Sequence, residues 1–162
     1  MGKMGVKFCV LAVLLSMLLI PVVQATAYAR APPTAAEGTW TYIITDFKVI
    51  KQVGGNTFVS AEETGTWTGT FIGTSKMVVS GVIHSDGLLT FHGLIYFEGT
   101  VGGVDGTLVI RYSGKVMPTG ELTGHWVIQS GTGDLVNLRG RGTLGGLGYD
   151  LTYSGQVHFK PN

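Results

Sequence analysis

From Gly38 onward the chain alternates apolar and polar residues, and glycine-bearing turns interrupt the alternation at short intervals. Alternate side chains of a strand point to opposite faces, so each run has one face to bury. Trp40, Tyr42 and Ile44 head the first run, which ends at Gly54-Gly55-Asn56. A second extends from about Phe58 to Phe71 around the segment TGTWTGT. The others are Lys76–His84, Leu88–Glu98, Thr107–Val116, Leu122–Gln129, Gly140–Leu144 and Tyr149–Phe159. No window has a convincing helical period. Eight strands joined by short glycine turns predict an all-β domain, an antiparallel sandwich or barrel.

The middle hairpins acquire a register when their apolar side chains are gathered on one face. Ser85-Asp86-Gly87 suits a three-residue loop, pairing Ile83 with Leu89, Gly81 with Phe91 and Met77 with Ile95. A turn at Gly102-Gly103 sets Phe97 against Leu108, Ile95 against Ile110 and Gly93 against Tyr112. In the next hairpin, pairing Lys115 with Glu121 sets Tyr112 against Gly124, Ile110 against Trp126 and Leu108 against Ile128. The predicted core face carries Met77, Val79, Ile83, Phe91, Ile95, Phe97, Leu108, Ile110, Tyr112, Leu122, Trp126 and Ile128. Tyr112, between two glycines, is expected to cover bare backbone. The opposite, wetter face carries His84, Thr90, His92, Tyr96, Glu98, Arg111, His125 and Gln129.

The first residues follow another logic. Lys3 and Lys7 precede an apolar stretch from Phe8 to Ile20, Pro21 breaks it, and Ala25-Thr26-Ala27 offers a small-residue cleavage pattern. This is the signature of a secretory signal peptide over residues 1–27, cut near Ala27, and it predicts a secreted protein with no membrane association after cleavage. A retained N-terminal anchor is the alternative, although the apolar run is shorter than the roughly 20 residues a bilayer requires. Residues 28–37 are expected to form a linker and residues 38–162 the domain. The one cysteine, Cys9, lies in the segment to be removed, so the exported chain has neither a disulfide nor a cysteine metal ligand. Nine basic residues then face ten acidic ones with no basic cluster, which argues against nucleic acid as a partner.

The stretch SGTGDLVNLRGRGTLGG, Ser130 to Gly146, invites comparison with a phosphate cradle. A dinucleotide fingerprint requires a third glycine where Val136 stands and a helix behind it, and the P-loop lysine is missing too. No cofactor is therefore expected. The stretch is better explained as turn chemistry: Asp134 caps a single helical turn, Leu135 and Leu138 point the same way as a plug, and Arg139 pairs with Asp134.

The segments FEGTVGGVDGTLVIRYSG (Phe97–Gly114) and LTGHWVIQSGTGDLVNLRGRG (Leu122–Gly142) resemble DUF3224, an uncharacterised domain family grouped with the allene-oxide-cyclase-like barrels. The run Gly131-Thr132-Gly133-Asp134-Leu135, then Leu138-Arg139-Gly140, also looks like a turn of plant dirigent proteins and allene oxide cyclases. The resemblance spans roughly Gly38 to Phe159 and implies an eight-stranded antiparallel barrel, often oligomeric among the relatives. It implies no established reaction and supplies no catalytic residue.

A barrel of eight strands is either filled by its side chains or holds one small ligand. Phe91, Phe97, Tyr112 and Trp126 are the candidate ligand-binding residues of the interior, with the Tyr112 hydroxyl as polar handle. Glu98 and Arg111 form an alternative polar pair, diagonal neighbours able to act as acid and orienting cation if their face turns inward. The four histidines lie on separate strands, with His125 expected opposite Arg111, so no metal site is predicted. These observations point to a binder of a small hydrophobic molecule or an extracellular structural module. The rivals are a cofactor-independent isomerase or cyclase that confines a hydrophobic substrate, and a homo-oligomer assembled through the face around Tyr96.

Overall fold

The computed structural model describes residues 32–161, so the signal-peptide reading of residues 1–27 lies outside the described residues. Eight strands follow one another: β1 (Thr34–Val53), β2 (Asn56–Gly69), β3 (Phe71–Ile83), β4 (Leu89–Val101), β5 (Val104–Val116), β6 (Glu121–Gly133), β7 (Leu138–Leu147) and β8 (Asp150–Phe159). Each pairs antiparallel with the next, and β8 returns to β1 to close a barrel. Closure leaves no sheet edge along the paired length, which removes the usual liability of an antiparallel sheet.

Several boundaries differ from the sequence reading. β1 begins at Thr34, inside the stretch assigned to a linker, because Thr34 to Thr41 pair with Val157 to Asp150 and close the ring. Ala36, in that stretch, is buried. Phe71 opens β3 rather than ending β2, with Thr70 alone between the two strands.

The β3–β4 and β4–β5 registers agree with expectation, Met77 facing Ile95 and Gly93 facing Tyr112. The β5–β6 register does not. Tyr112 faces Trp126, Ile110 faces Ile128, and Gly114 rather than Tyr112 faces Gly124. The loop is Met117–Gly120, closed by Met117 N–H donating to the Glu121 carbonyl at 2.8 Å, and a bulge interrupts the ladder between Val109 and Ile110. A slip of two residues keeps every side chain on its face, so burial alone could not expose the error. The predicted core residues are buried apart from Ile83, which is half-buried.

The two ends of the barrel are built differently. At one end the turn after β6 sends Leu135 and Leu138 inward, where both are fully buried. Arg139 holds this turn, but by donating to the Val136 and Leu138 carbonyls rather than by pairing with Asp134. Above the leucines lies an aromatic cluster centred on Phe71, with Trp126 at 5.7 Å, Phe97 at 5.6 Å and Tyr153 at 5.3 Å between ring centroids. Trp126 fits because its ring lies over the facing pair Gly142 and Gly155, where an added Cβ would stand 2.6 Å from its Cζ2. The Tyr153 hydroxyl accepts from Phe71 N–H at 2.8 Å and donates to the Thr68 carbonyl at 2.9 Å, tying β8 to the β2–β3 turn across the interior. Tyr153→Phe leaves a buried N–H unpaired and is expected to destabilise the barrel by about 1–3 kcal/mol, measured by urea unfolding.

Candidate functional site

The other end is not filled. There β1 continues past its last contact with β8, at Tyr42, as a long hairpin with β2. Beneath the base of this hairpin is a cavity of about 100 Å³ walled by Val59, Ala61, Val79, Phe91, Leu122 and Tyr112, among others. Ile44 and Phe47 stand at its mouth and are 44% and 51% exposed.

One carboxyl enters this apolar space. Glu63 lies in phase with Val59, Ala61 and Trp67 along β2, and a period of two turns it inward with them. It is half-buried, and it accepts a long hydrogen bond of 3.4 Å from the Tyr112 hydroxyl. Burial pushes its carboxyl up to about 7, against a smaller opposing effect of that hydrogen bond. The hydroxyl of Tyr42 is pushed up to about 12 by burial first and by the Glu63 and Tyr149 charges second. Tyr112 is raised as well, again chiefly by burial and then by Glu63. Trp40 lines the same cavity, stacked on Trp67 at 4.9 Å, and its buried Nε1 has no hydrogen-bond partner among the described residues. One carboxyl able to carry or release a proton near neutrality is thus gathered with two protonated phenols and an indole N–H.

The four interior candidates separate into two pairs. Phe91 and Tyr112 wall the cavity, their rings 5.5 Å apart, whereas Phe97 and Trp126 belong to the aromatic cluster of the filled half. Tyr112 does cover a glycine, Gly93, whose added Cβ would stand 2.8 Å from its ring, but Gly124 lies elsewhere. The polar alternative is not assembled. Glu98 faces Thr107 and Arg111 faces Leu94, both on the exposed outer wall, and no ion pair joins them among the described residues. His125 faces Ser113 instead of Arg111, and His84 shares a 3.1 Å hydrogen bond with Thr90. Among the described residues no group of three or more His, Cys, Asp or Glu is gathered as a metal site requires.

Sequence reasoning missed Glu63, Tyr42 and Trp40 because it registered only the middle hairpins. A signal was present: in VSAEETGTW the second glutamate falls in the apolar phase. A broader depression of about 690 Å³ crosses the outer wall by Thr66, Lys76, Tyr96 and Glu98, but its polar side chains face solvent. The cavity at the open end is the better candidate because it combines concavity, apolar walls and a perturbed acid.

Fold and site together define a closed eight-stranded antiparallel β-barrel, plugged at one end and holding a small acid-bearing cavity at the other. The family of proteins of unknown function DUF3224 matches residues 36–153, and the chain belongs to it. A crystal structure of a protein with unknown function from the DUF3224 family of Shewanella oneidensis MR-1 is similar, with a TM-score of 0.70. The two share 19% identity over 81% of this chain and 100% of that one, a likeness of fold. No curated protein matches.

Proposed function

We propose that this protein is an exported barrel that binds a small, mostly apolar molecule bearing one hydroxyl or carbonyl group at the open end. The observation that carries this reading is Glu63, a half-buried carboxyl beside the Tyr112 hydroxyl in a cavity that is otherwise apolar. An apolar wall attracts without direction, and one or two polar groups fix orientation. At about 100 Å³ the cavity takes only a small molecule or the head of a longer one, whose tail then rests on Ile44 and Phe47 at the mouth. Export follows from the sequence pattern of residues 1–27.

A second reading, cofactor-independent isomerisation of the kind suggested by the allene-oxide-cyclase-like grouping, is favoured by the position of the Glu63 carboxyl near 7. As carboxylate it takes a proton from carbon beside a substrate carbonyl. Tyr42 donates to the enolate oxygen, and Glu63 returns the proton to a different carbon, so that only a double bond moves.

Native mass spectrometry of the purified protein, followed by titration with cyclohexenone read through tryptophan fluorescence, tests both. The wild type is expected to retain a small molecule or to bind the probe, and Ala61→Ile, which narrows the cavity, to lose both. Unchanged fluorescence with no retained molecule overturns the binding reading and leaves an extracellular structural module. Deuterium uptake from heavy water into the bound enone, abolished in Glu63→Gln, separates isomerisation from simple binding.

A further inference from the structure

The β1 strand has an open edge. Its pairing with β8 stops at Thr41 opposite Asp150, followed by a single hydrogen bond from Tyr42 N–H to the Tyr149 carbonyl at 3.1 Å. From Ile43 to Val53 it is paired with β2 on one side, and no described strand covers the other. Ile43, Ile44, Phe47, Val49, Ile50 and Val53 along it are 44–62% exposed. Long apolar edges of this kind are what natural sheets normally blunt or cover.

We propose that a second copy of this chain covers this edge, the two β1 strands pairing antiparallel about a two-fold axis through Phe47. The strand carries the charge pattern such pairing requires. Bulges lie between Ile44 and Asp46 and between Val49 and Lys51, leaving Asp46 to Val49 as regular ladder between them, with Phe47 flanked by the two charges. On the axis through Phe47, Asp46 of one copy lies opposite Lys48 of the second copy, and Lys48 opposite its Asp46. Asp46 and Lys48 face the same side of the ladder as the exposed Glu62 and already form an ion pair within one chain. Pairing joins two opposite charges to two more, the arrangement that sets register in self-complementary strands. On the opposite side Phe47 meets its copy. Phe47 also stands at the cavity mouth, so the second copy brings an aromatic ring to each mouth. This inference does not depend on the binding reading above.

Charge exchange tests it. Asp46→Lys makes the ladder wholly basic and Lys48→Asp makes it wholly acidic, so each variant repels itself while the two attract one another. By light scattering after size exclusion, the full chain as its host processes it is expected to be a dimer. Each variant is expected to dimerise at least about tenfold more weakly, and an equimolar mixture of the two to recover the dimer. Recovery in the mixture excludes misfolding as the cause of the loss. A monomeric wild type, meaning an edge covered by another segment or left open, overturns the proposal. So does a dimer in either single variant, or a mixture that stays monomeric.

Discussion

Phe71→Ala is expected to destabilise the barrel by about 4 kcal/mol and to lower its melting midpoint by roughly 15 °C. Phe71 is 1% exposed and stands at the centre of the filled half, with Trp67, Phe97, Trp126 and Tyr153 around it at ring separations of 5.3–5.7 Å. Removing the ring deletes its transfer free energy and leaves a cavity whose walls cannot collapse, since those four neighbours sit on four different strands of a closed ring. A domain of this size has about 5–15 kcal/mol in total, so the loss is a large share of what holds it folded. Calorimetry and urea unfolding check it. A loss below about 1 kcal/mol means that the aromatic cluster is not the packed core described.

The second large effect is a pH dependence centred on Glu63. Its carboxyl sits at about 7 in the folded barrel against 4.5 when free, because burial disfavours the charge. Between these values the folded state holds a proton that the unfolded state has released. Its stabilising contribution is therefore complete below about 4.5 and is lost as pH rises through 7. The shift corresponds to about 3 kcal/mol, reduced to about 2 kcal/mol by the water that reaches a half-buried group. Glu63→Gln keeps an acceptor for the Tyr112 hydroxyl and removes the charge. The variant is expected to match the wild type at pH 4.5 and to exceed it by about 2 kcal/mol at pH 8. Urea unfolding of both proteins across this range is the measurement, and a constant difference between them contradicts the assignment. A site that gives up stability above neutrality to keep a carboxylate in an apolar cavity has the character of a functional one.

Legibility varied with the kind of information each feature needed. The β3–β4 and β4–β5 hairpins could be registered because a short loop and an apolar face agree on one pairing. Leu135 and Leu138 could be read as a plug because two leucines three apart in a glycine-rich turn have no other use. Glu98 and Arg111 were misjudged as neighbours: sharing a face does not mean sharing a position along it, and Glu98 faces Thr107 while Arg111 faces Leu94.

By itself, then, the sequence determined that the domain from Gly38 onward is all-β, where most strands turn, and which side chains face inward in the middle strands. The tertiary structure alone decided that β1 meets β8 and outruns it, that one half of the interior is filled and the other open, and that Glu63 shares the open half with Tyr42 and Tyr112. Alternation is a local property with a period of two, so it assigns a side chain to a face. Depth along the barrel axis and the neighbour across the interior follow from closure, bulges and strand length, which are set by contacts between residues distant in the chain.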